Sequence, residues 1–252
     1  MRIISLERIL VAVTDFDRAC DNWRKAGFSL EVAANGANPI RSAQFASGAV
    51  TVELCAAQGD PDRTDPRAVA MAEAAARGGG IFGWLWGVAH AEGEVFAERS
   101  RAHELLNGVF TGAIAGPQPS APPAARPNAN TVAWLEHMVV MVPQLDEAIV
   151  AFERVGLPCK RVREAGRGMR QAFFKLQESV FELVGPSGTE PRCWGLAFMC
   201  DDVAAAVAVA RRNGLQATEP KPAVQGGRIA RIVEPLDGVA VAFMDQRRST
   251  PG

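Results

Sequence analysis

Tyrosine is missing from the 252-residue chain, and histidine occurs only at His90, His103 and His137. One common acid–base side chain is therefore lost. No GxSxG elbow accompanies so few histidines, which argues against a Ser-His-Asp hydrolase. Cysteine is sparse as well: Cys20, Cys55, Cys159, Cys193 and Cys200 form an odd set with no CxxC spacing. Neither a zinc cluster nor a disulfide framework is expected, and a reducing cytoplasm is the expected compartment. Net charge is almost nil, at −1. Without a broad basic surface, no nucleic-acid partner is expected. Long apolar runs are lacking too, and none approaches the ~20 residues of a membrane span. Met1–Val13 carries Arg2, Glu7 and Arg8, too much charge for a secretory leader. Gly78-Gly79-Gly80 is not followed by Gly-Lys-Ser/Thr, so it is no phosphate loop.

What the chain does contain is a folded protein's composition, with 48% hydrophobic and 22% charged residues. Its length suits one large domain or two ordinary ones. It also contains a repeat. LERILVAVTDFDRACDNWRKAGF, LEHMVVMVPQLDEAIVAFERVGL and WGLAFMCDDVAAAVAVARRNGL each read as an apolar run, a turn with Asp nearby, a helix and a glycine. Phe16, Leu145 and Val203 take one position, and Gly27, Gly156 and Gly214 each lie 11 residues further on. That span suits three helical turns closed by a left-handed glycine. Ile9–Val13 and Met138–Val142 read as strands buried on both sides.

Strand-like sequence follows each glycine. The first copy has Phe28–Ala33, Arg41–Ala46 and Val50–Cys55, and the third has Pro158–Arg163, Met169–Leu176 and Ser179–Val184. Arg8 to Glu53 spans 45 residues, as does His137 to Glu182. A fourth copy runs from Trp194, with strands expected at Arg228–Glu234 and Val239–Met244. The second is the least regular. Ile81–Ala89 suits its first strand, Glu92–Leu106 its helix, and Phe110–Ala115 and Thr131–Leu135 later strands. Ala68–Arg77 reads as an extra helix that the three glycines break, and a mobile loop is expected around Gly166 and Gly168. The expected organisation is an N-terminal domain over 1–116, a proline-rich linker over 117–130 and a C-terminal domain over 131–252.

Strand, helix, glycine and three strands, repeated, resembles the vicinal-oxygen-chelate superfamily of glyoxalases, bleomycin-resistance proteins and extradiol dioxygenases. The resemblance implies an α+β fold of up to four βαβββ modules forming two cup-shaped mixed sheets. It further implies a small-molecule ligand and a divalent metal (Zn, Fe, Mn, Ni or Co) held by first- and fourth-strand residues of paired modules. His137 and Glu182 fall on those two positions in the third module, so both are candidate metal ligands, and Glu182 is a candidate catalytic residue. Arg8 and Glu53 take the same positions in the first module, where Arg8 cannot ligate a cation. Gly195 and Ala242 align with them in the fourth.

Alternatives remain at each position. His137 is either a ligand or a hydrogen-bonded core histidine. Arg8 and Glu53 form either a structural ion pair or a substrate contact, and strand parity points Glu53 away from Val52 and Leu54. Trp194 and Arg228, the latter after Gly226-Gly227, are candidate substrate contacts. Trp84, Trp86 and Trp134 line a cavity or pack in the core. Three functions are compatible with this pattern: a metal-dependent lyase, isomerase or dioxygenase, a metal-free binding or resistance protein, and a scaffold. Whether cups close within one chain or across a homodimer is left open.

Overall fold

The computed structural model describes residues 2–34, 39–60, 62–89, 106, 109–115, 127–224 and 226–246. Three helices begin where the repeat places them: α1 (Phe16–Lys25), α3 (Leu145–Arg154) and α4 (Val203–Arg212). Asp15 caps α1 by accepting the Arg18 N–H, and Asp202 caps α4 by accepting from Ala204 and Ala205. Gln144 before α3 makes no such bond, and Asp146 and Glu147 instead face the helix dipole. Gly27, Gly156 and Gly214 end the three helices at positive φ. α2 (Pro66–Ala76) is the extra helix, capped by Asp65 and stopped by Gly78, Gly79 and Gly80, all at positive φ. No helix among the described residues is long and apolar enough to cross a membrane.

The described residues form two mixed sheets. The first is ordered β2 (Glu31–Val32), β3 (Ile40–Ser47), β4 (Val50–Ala57), β1 (Arg2–Ala12), β5 (Gly80–Ala89), β6 (Phe110–Ala115). The second is ordered β12 (Lys221–Pro222), β13 (Arg228–Arg231), β14 (Ala240–Asp245), β11 (Arg192–Cys200), β7 (Val132–Met141), β10 (Ser179–Gly185), β9 (Met169–Leu176), β8 (Arg161–Gly166). At the centre of each sheet the first strands of two modules pair antiparallel, β1 with β5 and β7 with β11. Each of these four strands also pairs parallel with its own module's last strand. The fold is therefore α+β with βαβββ modules. The second module's expected helix, Glu92–Leu106, falls almost wholly outside the described residues, as do the proline-rich stretch, His90 and His103.

One expectation needs correction. Thr131–Leu135 is not a later strand of the second module. Val132–Leu135 opens β7, which runs on to Met141 because a bulge at Glu136 shifts the side-chain alternation without ending the ladder. The Gly166–Gly168 segment connects β8 and β9 as a tight hairpin, with Gly166 paired to Met169 and positive φ at both Arg167 and Gly168.

Both sheets bury one face in a common core. Phe45 and Leu54 of the first sheet and Phe181, Phe198 and Phe243 of the second belong to one apolar cluster with α1, α3 and α4. Phe181 lies 5.3 Å from both Trp84 and Trp86, and Phe28 lies 4.9 Å from Phe198, ring centre to ring centre. Asn130, fully buried, donates to the Ala26 carbonyl at 2.9 Å and accepts the Val132 N–H, which ties the start of β7 to the end of α1. The opposite faces differ. α2 lays Met71 and Ala74 over Leu10, Ala12, Cys55 and Phe82, filling the first cup. No such helix covers the second among the described residues. Val224, in the turn after β12, lines the same cleft as Lys160 and Lys175, so the ends of the eight-strand order meet and the sheet curls on itself.

Truncating Phe181 to alanine removes the contact between sheets and should cost about 3–5 kcal/mol. Tryptophan fluorescence and far-UV circular dichroism should lose their denaturation midpoints together. Separate shifts in the two signals would mean that the sheets unfold independently.

Candidate functional site

The site is built on the open face of the second sheet, and the bulge in β7 creates it. Leu135 pairs with Phe198 and His137 with Ala197, leaving Glu136 unpaired between them. Leu135 and Met138 both enter the core, so Glu136 and His137 sit together on the other side. The Glu136 carboxylate contacts His137 Nδ1. On β10, Phe181 and Leu183 are core residues and Glu182 between them faces the cup, 5% exposed.

Glu182 does not stand alone. Gln171 Nε2 donates to its Oε1 at 2.6 Å, and Arg163 Nε donates to Gln171 Oε1 at 2.6 Å. Burial pushes the Glu182 carboxyl above the ordinary carboxylate range, while His137 and Arg163 pull it back. On one side of this relay lies a cavity of about 310 Å³, lined by His137, Val139, Trp194, Ala197, Ile229 and Ala242 among others. Trp194 is 48% exposed at its edge. A second cleft lies on the opposite side, against β8 and β9.

Register identifies the equivalent positions in all four modules. Val139 pairs with Glu182 and with Gly195, and Ala197 pairs with Ala242. Likewise Leu10 pairs with Glu53 and with Gly83, and Leu85 pairs with Gly112. The first- and fourth-strand pairs are thus Arg8 and Glu53, Gly83 and Gly112, His137 and Glu182, Gly195 and Ala242. Odd modules carry polar side chains, and even modules carry glycine or alanine. A Cβ on Gly83 would collide with the Phe110 carbonyl, and one on Gly195 with the Ala240 carbonyl. The neighbouring strand's backbone occupies the space a side chain would need.

This arrangement tests the expected metal. Catalytic metal sites commonly use three protein ligands. The cup supplies His137 and Glu182 from one module and no donor side chain at the matching positions of the other. Among the described residues, no group of three or more His, Cys, Asp or Glu is arranged to hold an ion. The donor set does not fit a three-ligand centre.

The remaining candidates lie elsewhere. Arg8 and Glu53 meet on the first sheet at 2.7 Å, and Arg67 of α2 reaches the same carboxylate at 3.3 Å. Glu53 is 7% exposed, beneath the helix that fills its cup. Arg228 sits on β13, next to the edge strand β12, bonded to Asp245 through Nε at 3.1 Å and to Asp202 at 3.1 Å. Trp84 and Trp86 are core residues, while Trp134 packs near Met199 and Met244. All five cysteines are free, and burial pushes the Cys55, Cys193 and Cys200 thiols up to about 12, where they stay neutral.

Glu136, Gln171, Arg163 and Arg67 escaped the sequence reading. Glu136 had a signal, since Glu7 precedes Arg8 as Glu136 precedes His137. Gln171 and Arg163 share strand parity with the cup. Arg67 had none, because its helix lies outside the repeat.

No protein-family model and no curated protein matches the sequence. Solved structures do match. A variant of 4-hydroxymandelate synthase from Streptomyces coelicolor aligns over 99% of this chain and 94% of its own, with a TM-score of 0.68 and 17% identity. A fusion of a xylose isomerase-like TIM barrel with 4-hydroxyphenylpyruvate dioxygenase aligns over 99% of this chain and 50% of its own, with a TM-score of 0.64 and 13% identity. A methylmalonyl-CoA epimerase from Mycobacterium tuberculosis covers 47% of this chain at a TM-score of 0.40 and 20% identity. The two likenesses that span 99% of this chain show that it shares their fold, built here from repeated βαβββ modules.

Proposed function

We propose that the second cup is a small-molecule site that works without a three-ligand metal centre, which makes this a binding protein of the vicinal-oxygen-chelate fold. The observation that carries this reading is the pair Gly195 and Ala242 at the positions facing His137 and Glu182, with the Ala240 carbonyl filling the space a side chain at Gly195 would take. In its place the cup offers an apolar wall, Val139, Ala197, Ile229 and Ala242, beside a hydrogen-bonded polar centre. That combination suits a ligand with an apolar body and a few polar atoms. Arg8 and Glu53 act in this reading as the structural core of a filled cup.

One observation favours a second reading. His137 and Glu182 lie on adjacent strands of one face, as two ligands of a metal-dependent lyase, isomerase or dioxygenase would. Metal analysis of protein purified without chelator separates the two. The binding reading expects no stoichiometric transition metal. Stoichiometric metal that is lost in His137→Ala would overturn it.

Two further outcomes follow. A screen of small apolar compounds by thermal shift should find a stabilising ligand, and at about 100 times its Kd the gain is roughly 2.7 kcal/mol. Ala242→Phe should abolish that shift, whereas Glu53→Gln should leave it intact. Equal loss in both variants would count against the second cup.

The other outcome concerns pH. The Glu182 carboxyl is raised by burial, so the folded chain holds a proton there more tightly than the unfolded chain. The resulting stability is full below the ordinary carboxylate range and is lost as pH rises through the raised pKa. Glu182→Gln should therefore melt higher than the parent at about pH 8, with the gap closing toward about pH 4. A bound cation would reverse the sign at high pH, and a lower melting temperature for the variant there would defeat the metal-free reading.

A further inference from the structure

We propose that the ligand of this cup is an amphipathic anion, its apolar body in the cavity beside Val139 and Ala197 and its anionic head in the basic cleft against β8 and β9. The inference rests on the small-molecule reading above and adds the ligand's chemical class.

The cleft, about 460 Å³, is lined by Lys160, Arg161, Arg163 and Lys175 together with Phe173, Val180 and Val224. Among the described residues, four cations and no carboxylate form its wall. Most cations elsewhere that make hydrogen bonds to side chains are paired with acids: Arg41 with Asp17, Arg170 with Asp146, Arg211 with Glu219, Arg228 with Asp245. Among the described residues, none of the four cleft cations makes an ion pair. Arg163 uses Nε on Gln171 and lies 5.0 Å over the Phe173 ring, and Lys175 donates only to the Glu178 carbonyl. The Glu178 carboxylate points away, toward Gly48 of the first sheet. A chain of net charge −1 that leaves four neighbouring cations unpaired beside a cavity has a site for negative charge.

Sheet register sets the cleft and the cavity on one line. One register row crosses the sheet from Arg161 through Phe173, Glu182, Val139 and Gly195 to Ala240. From β9 to β11 is three strand spacings, roughly 14 Å. An extended aliphatic chain with a charged end lies along that row, its body toward β11 and its head toward β9. Glycine at 195 and alanine at 240 and 242 keep the far end of the row free of bulk, while Arg163, held by Gln171, presents its remaining N–H groups to the head. Carboxylate and phosphate heads share this chemistry.

The test uses the full chain and four eight-carbon probes, octanoate, octyl phosphate, octanol and octylamine, with inorganic phosphate as the fifth. Affinity is read by calorimetry and by tryptophan fluorescence, since Trp194 lines the cavity. Octanoate or octyl phosphate should bind at least about tenfold tighter than octanol, and octylamine should not bind. Whichever anion wins tells a carboxylate head from a phosphate one. The double variant Arg161→Gln, Arg163→Gln should remove that advantage and flatten the salt dependence of anion binding. Octanol binding as tightly as both anions, with Ala242→Phe abolishing all three, would overturn the anion proposal and leave the cup reading standing. Inorganic phosphate matching octyl phosphate would overturn the spanning geometry. No binding by any probe would defeat the proposal, and indifference of every bound probe to Ala242→Phe would defeat the cup reading beneath it.

Discussion

The ring of Phe181 touches Trp84 and Trp86, and through that contact the two sheets share one core. The consequences reach every other part of the molecule. Each sheet commits one face to the common cluster, where parity sends Ile9, Val11, Val52 and Leu54 from one side and Val140, Phe181 and Leu183 from the other. Only the opposite faces remain for chemistry. In the first sheet α2 occupies that face and seals Glu53 between two arginines. A buried carboxylate needs such partners to hold its charge. Among the described residues no helix covers the second sheet's face, which is why the proposed site lies in the C-terminal half.

Within that half the modules are unequal for a steric reason. The antiparallel pairing of first strands brings His137 opposite Ala197 and Val139 opposite Gly195. The neighbouring carbonyl of Ala240 stands where a side chain at 195 would begin, and Phe110 does the same to position 83. Glycine there is a requirement of backbone approach. The even modules thus contribute wall and space, while the odd ones contribute polar groups. A cup made this way has an acid, an imidazole and an amide relay on one side and an apolar hollow on the other.

Much of this was legible in the residues. The repeat located three helix starts at Phe16, Leu145 and Val203, and each helix begins there. Met169–Leu176 was bounded as the structure has it, and Glu53 and Glu182 occupy equivalent ladder positions. The periodicities that carry such signals are local, and local geometry obeys them. The bulge at Glu136 was not legible, because one unpaired residue shifts the alternation without leaving a turn signal. Thr131–Leu135 consequently looked like a separate strand. Gln171 and Arg163 stood on the correct parity but had no reason to be joined until β8, β9 and β10 lay side by side.

The sequence by itself determined the module, its register and the identity of the residues at the ligand positions of the first, third and fourth copies, since all three depend on spacing along the chain. Only the tertiary structure decided which cup is filled and which is open, that Glu182 is held by Gln171, and that four cations gather beside it. Those facts depend on where α2 lands and on how the ends of an eight-strand sheet curl toward each other. Both are set by packing between segments distant in the chain, which no local pattern records.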